Sequence, residues 1–172
     1  LMTIAKGLTS GYIPMGGLIV SDKVFDVIKT AGDFNHGFTY SGHPVAAAVA
    51  LENIRILRDE KIIERVCEET APYLQKRLRE LLDHPLVGEV RGVGMLGAIE
   101  LVKDKATRAR FEGKGAGMIC RGHCFNNGLI MRAVGDTMII SPPLVISKAE
   151  IDELVTKARL CLDLTAEALL AH

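Results

Sequence analysis

Apolar positions recur along this chain with two different periods, and the change comes near the middle. A short apolar run at 17–20 predicts a buried strand. Behind the start signal Ser21-Asp22, residues Val24, Phe25, Val27 and Ile28 form one helical face. Residues 31–42 hold Gly32, Asp33, Asn35, Gly37, Ser41 and Gly42 and read as loop. Pro44 suits the first turn of a helix that continues through Leu57, with a small Ala46–Ala50 core able to pack closely. A second helix is predicted over 60–83 from Ile63, Val66, Ala71, Leu74, Leu78 and Leu81, with a kink or break at Pro72.

From Val87 the pattern shortens to strands, expected at 87–90, 95–102, 129–133 and 138–141, with a helix over 115–126 between them. Ser147 and Glu150 have capping-box spacing and should open a last helix running to near Leu169. Strands alternating with helices predict an α/β fold. The shift of pattern places a boundary near Arg58, giving segments 1–58 and 59–172.

Composition narrows the possible partners. The 172 residues are 48% hydrophobic and 24% charged, as in an ordinary globular protein with a real core. Lys plus Arg equals Asp plus Glu, 21 each, so no basic field for nucleic acid exists. No stretch is apolar for long enough to span a membrane, so no membrane association is expected. None of Cys67, Cys120, Cys124 and Cys161 forms a C-x-x-C pair, and they read as reduced thiols of a cytoplasmic protein. No signal peptide is visible, and the chain opens inside a strand-like run, as a piece of a longer protein would.

Candidate chemistry begins with Lys6, which ends that run and is followed by a loop rich in Gly, Ser and Pro. Two readings stand: a solvated strand-edge lysine, or an amine on an apolar rim, desolvated and able to attack a carbonyl. The loop 34–44 carries the Thr39 hydroxyl between Gly37 and Gly42 and leads into a helix N-terminus, a setting that can meet an anion, although spacing alone favours an ordinary connection. Arg132 lies just before Gly135-Asp136, and a guanidinium there could hold a carboxylate in a bidentate fork. Gly92, Gly94 and Gly97 spell G-x-G-x-x-G, but the following residues alternate like a strand, so a tight, bulged strand connection is expected and not a dinucleotide site. Cys120, His123 and Cys124 lack zinc-site spacing and read as two half-buried thiols beside a surface histidine, with no metal. His36 and His43 have no orienting acid nearby in sequence and receive no catalytic role.

Four segments together carry a resemblance. They are Ala5-Lys6-Gly7-Leu8 with Gly11-Tyr12-Ile13-Pro14-Met15-Gly16-Gly17; 36–44; Arg91-Gly92-Val93-Gly94-Met95; and Met131-Arg132-Ala133-Val134-Gly135-Asp136 with Ser141-Pro142-Pro143-Leu144. In this order the chain resembles class III, fold-type I, pyridoxal-phosphate aminotransferases, most of all the omega-amine:pyruvate subgroup with its putrescine-type enzymes. The resemblance implies the C-terminal part of such an enzyme, with 1–58 ending the cofactor-binding large domain and 59–172 forming a small α/β domain. It implies transamination of a primary amine, diamine or omega-amino acid with pyruvate as acceptor, in ping-pong half-reactions through a Lys6 aldimine of pyridoxal 5'-phosphate. It implies that Thr39 binds the cofactor phosphate of the neighbouring subunit, that Phe38 is a further cofactor-binding position, and that Arg132 binds the keto-acid carboxylate. The assembly implied is a homodimer or a dimer of dimers.

Three parts that the family places before its lysine have no candidate in this chain: an acid for the pyridine nitrogen, a same-subunit phosphate cup, and an aromatic ring stacked on the cofactor. Two other readings therefore stay open. One is another class III enzyme, an amino-acid transaminase or an aminomutase. The other is a non-catalytic C-terminal fragment without cofactor.

Overall fold

The computed structural model describes residues 1–113 and 115–170. The chain divides into two compact units, Leu1–Ile62 and Ile63–His172.

In the first unit, strand β1 (Met2–Ala5) pairs antiparallel with β2 (Gly16–Ile19), in the register Met2↔Ile19 to Ala5↔Gly16. The strand expected near 17–20 is present, but it is not buried: Leu18 is 55% exposed and Ile19 49%. Its sheet has two strands, and all four residues of β2 are exposed. Helix α1 (Asp22–Thr30) follows, with Ser21 in the N-cap position but making no side-chain cap bond. Its apolar face is only half withdrawn from water: Val24 and Ile28 are partly covered, Phe25 and Val27 exposed. Residues 31–43 contain no helix or strand, and α2 (Pro44–Asp59) starts at the proline. Proline fits there because the first helical N–H has no partner to lose. Ala46 and Ala50, one turn apart, are buried.

In the second unit, the long helix expected over 60–83 is broken into pieces. These are α3 (Ile62–Arg65), a π-helical turn (Val66–Thr70), α4 (Ala71–Arg79) and a 3-10 turn (Glu80–Asp83). The π turn ends immediately before the turn that holds Pro72. Proline has no N–H to give the carbonyl four residues back, so the ladder widens there. Beyond lie β3 (Val87–Val93), β4 (Leu96–Leu101), α5 (Ala116–Asn126), β5 (Arg132–Val134), β6 (Thr137–Ile140) and α6 (Lys148–Leu170). The strands form one sheet in the order β3-β4-β6-β5, every pair antiparallel. The fold is mixed α/β. Among the described residues no helix is long and apolar enough to cross a membrane.

The capping box at the start of α6 is formed: the Ser147 N–H and Oγ–H donate to Glu150 Oε2 at 2.7 and 2.8 Å, and the Glu150 N–H returns to Ser147 Oγ at 3.2 Å. The α6 stripe Ile151, Val155, Ala158, Leu162 and Thr165 is buried at helical spacing. It joins Leu74, Leu78 and Leu81 in the core, where burial of each leucine contributes about 1.5–3 kcal/mol. Tyr73 and Arg77 of α4 both donate to Asp152 Oδ1 of α6, at 2.7 and 2.8 Å.

The G-x-G-x-x-G run is the β3–β4 hairpin. Val93 pairs with Leu96, and Gly94 turns the chain at φ +61°. A Cβ on Gly92 would lie 2.3 Å from the Leu96 carbonyl oxygen, and one on Gly97 would lie 2.4 Å from Leu78 Cδ1. The glycines serve a tight turn and close packing. The bulge lies at the far end of the pair, between Val87 and Glu89.

Cys120, Cys124 and Cys161 are buried between α5 and α6, not half-buried, and only Cys67 of the four free thiols is exposed. The neighbouring Cys120 thiol, with burial, pushes Cys124 up, and burial pushes Cys161 up. His123 is partly exposed.

Candidate active site

Lys6 begins a 3-10 turn, Lys6–Leu8, directly after β1. Its side chain is exposed, and its backbone sits at φ +49°. Ser10 in the same loop sits at φ +48°. Each such conformation costs on the order of 1–3 kcal/mol and persists only where its surroundings hold it. Thr9, almost fully buried, supplies part of the hold: its Oγ1–H donates to the Ile13 carbonyl at 2.7 Å, and its N–H to the Lys6 carbonyl at 3.2 Å.

The rest comes from α2. The Asn53 side-chain amide donates to the carbonyls of Gly7 at 2.9 Å and Leu8 at 3.1 Å, and its Oδ1 accepts the Ser10 hydroxyl at 2.6 Å. Asn53 was not among the residues singled out from the sequence. A signal for it exists: it follows Ala46 and Ala50 on one helical face, a polar residue in an otherwise apolar stripe. A cleft of about 610 Å³ opens at this turn, lined by Ala5, Lys6, Thr9, Ile13, Pro14 and Met15 among others. Neither Phe38 nor Thr39 lines it.

Those two residues lie in the loop between α1 and α2. The Phe38 N–H donates to Ser41 Oγ at 3.1 Å, and the Ser41 N–H donates to the Phe38 carbonyl at 2.9 Å. This small turn places Thr39 at its tip, exposed, with no hydrogen-bond partner for its hydroxyl among the described residues. Phe38 is 80% exposed. His36 stacks on Phe34 and meets Phe38 edge-on, each at 5.8 Å between ring centres.

Arg132 stands in the second unit, as the first residue of β5, an edge strand. The register sets it in one cross-strand row with Ile139, Ala98 and Arg91. Residues alternate faces along a strand, so this row lies opposite the face where Gly97 meets Leu78. At the far end of the row Arg91 is neutralised by Glu100 at 2.6 Å, while Arg132 is exposed and without an ion pair among the described residues. The β5–β6 turn is anchored: Asp136 Oδ1 accepts the Gly117 N–H at 3.0 Å, and the Asp136 carbonyl accepts the Leu101 N–H at 2.9 Å. A second cavity, of about 570 Å³ and lined by Leu86, Lys103, Phe111 and Ala166 among others, contains none of the residues singled out above.

Residues 1–162 match the family Aminotransferase class-III. The chain belongs to the class III aminotransferases. Over 171 residues it is 74% identical to the putrescine--pyruvate aminotransferase of Pseudomonas aeruginosa, covering 99% of this chain and 38% of that protein. It is 43% identical over 160 residues to a mitochondrial gamma aminobutyrate transaminase of Solanum lycopersicum, covering 90% of this chain and 31% of that one. Among solved structures it resembles a transaminase from an ancestral-reconstruction study, with TM-score 0.92, 46% identity, and 96% and 38% of the two chains covered. It also resembles the PMP-bound aminotransferase of Vibrio fluvialis, with TM-score 0.89, 35% identity, and 96% and 37% covered. The chain thus spans about two-fifths or less of the length of these relatives. Class III aminotransferases use pyridoxal 5'-phosphate. The residues present fit that group: an exposed amine on a strained, well-held turn beside a cleft, and an exposed hydroxyl with no partner among the described residues.

Proposed function

We propose that this chain supplies the cofactor lysine and the keto-acid arginine of a dimeric, cytoplasmic transaminase that moves an amino group from putrescine or a similar primary amine to pyruvate. The observation that carries the reading is the 74% identity to a putrescine--pyruvate aminotransferase. Lys6 Nζ would hold pyridoxal phosphate, and Thr39 Oγ1, beside Phe38, would serve the cofactor phosphate of the neighbouring subunit. The bound cofactor supplies an electron sink for the carbon that loses its proton. Lys6 Nζ would take that proton from the amine-bearing carbon of the donor as general base and pass it on as general acid, ending as it began. Arg132 holds the acceptor carboxylate in a bidentate fork and moves aside for a donor that has none. Its place on an edge strand, without an ion pair among the described residues, supports that freedom. Four free thiols support a reducing compartment.

An omega-amino acid donor is the second reading, favoured by the 43% identity to a gamma aminobutyrate transaminase. The test is a donor screen with the cofactor-loaded protein and pyruvate, followed by borohydride reduction and peptide mapping. Putrescine should be the better donor and the cofactor label should fall on Lys6. Preference for 4-aminobutyrate moves the assignment to the second reading, and a label on Lys23 or Lys29 overturns the role of Lys6.

A further inference from the structure

We infer that Asn53 is a positioning residue for Lys6, a proposal that rests on reading Lys6 as the cofactor-holding amine. Two of the four non-glycine residues at positive φ among the described residues, Lys6 and Ser10, fall in this one loop, and Gly11 follows at φ +77°. Left to itself such a segment relaxes into the ordinary right-handed or extended regions. Within the loop the Lys6 carbonyl accepts from the Thr9 N–H at 3.2 Å, the Gly7 carbonyl from the Ser10 N–H at 3.5 Å, and the Ile13 carbonyl from the Thr9 hydroxyl at 2.7 Å. Three further ties reach the loop from outside it, all from Asn53. Two of them, to Gly7 and Leu8, fix the carbonyls just after Lys6, and the third fixes the strained Ser10.

The match of donors to acceptors is specific. The amide NH₂ faces two carbonyls and the amide oxygen faces a hydroxyl, so the opposite orientation would set oxygen against oxygen. Aspartate has no donor for the carbonyls, and alanine has nothing. Asn53 itself sits on a helix of sixteen residues, a rigid base compared with the loop it holds. Among the described residues its hydrogen bonds go to Gly7, Leu8 and Ser10, none to the lysine amine, and it acts through the backbone of Gly7 and Leu8. By fixing where the Lys6 side chain starts, it sets where the amine can reach.

The test measures the dissociation constant of pyridoxal phosphate on the cofactor-depleted protein, with the melting temperature of each variant alongside. Asn53→Ala should raise the constant about tenfold, the scale of one or two lost hydrogen bonds. Asn53→Asp, nearly isosteric, should raise it at least as much, and it carries the test if the alanine variant does not fold. In a Lys6→Ala background Asn53→Asp should add little, because the two act as a unit. A role confined to stability would lower the melting temperature and leave the constant of the folded protein unchanged, and that result overturns the proposal. So do losses at Lys6 and Asn53 that multiply independently. If Lys6→Ala alone leaves the constant unchanged, the assignment of Lys6 falls first.

Discussion

Asp136 reaches across from the β5–β6 turn to accept the backbone N–H of Gly117, 3.0 Å away, in the first turn of α5. That N–H is one of the donors a helix cannot satisfy within itself. The contact is close because position 117 lacks a side chain: a Cβ there would lie 2.1 Å from the Gly135 carbonyl oxygen and 3.1 Å from Asp136 Cα. The obstruction is backbone, which cannot rotate away.

Gly117→Ala should therefore destabilise the protein by about 1–3 kcal/mol, the usual penalty for overpacking. Urea unfolding followed by circular dichroism measures it. An unchanged midpoint would show that helix and turn separate without loss.

Arg132→Ala should damage the half-reaction with pyruvate far more than the half-reaction with the amine. Loss of a bidentate pair to a carboxylate is worth on the order of 2–4 kcal/mol in the pyruvate step. Single-turnover kinetics on the cofactor-loaded protein separates the halves, and equal losses in both would reassign Arg132 to the fold or the cofactor.

Thr39→Ala should weaken cofactor retention by about 1–3 kcal/mol, the scale of a charge-assisted hydrogen bond. Because the hydroxyl is proposed to act on a neighbouring subunit, the loss should appear in the dimer. A monomer holding cofactor with full affinity contradicts the assignment.

His84 sets a pH dependence. It is buried, its Nδ1 accepts the Leu86 N–H at 3.1 Å, and its Nε2 lies 3.2 Å from Asp163 Oδ1. Burial pulls the imidazole below its ordinary value of 6.5, and Asp163 only partly opposes this. The unfolded chain then binds a proton at His84 more readily than the folded one. Stability is complete above about pH 6.5 and falls as the pH drops toward the lower, folded value. Urea midpoints at pH 7.5 and 5.5 should differ, and His84→Gln should shrink the difference. A difference of the same size in the variant would assign the effect to other groups.

How far the sequence could be read depended on how local each cause was. The capping box at Ser147 and Glu150, the proline start of α2 and the hairpin at Gly94 are set within a few residues, and all three form as the spacing implies. The strand expected at 129–133 is offset, to Arg132–Val134, because its extent is decided by the register with β6. The apolar run of β2 implied burial, but apolar residues become buried only where a layer covers them, and no periodicity carries that information. Lys6 and Arg132 could be chosen by residue type and neighbours. For Asn53 only its polar place in an apolar stripe was visible, and its role was not, since its partners lie more than forty residues earlier.

The three thiols enclosed between α5 and α6 give this chain a chemical clock. A thiol reagent meets Cys67 at once, while Cys120, Cys124 and Cys161 are between 0% and 2% exposed and wait for the helices to part. Where the reagent reacts faster than the seam recloses, the lag between first and later modifications reports how often that helical seam opens, recorded by the protein's own side chains and without an added probe.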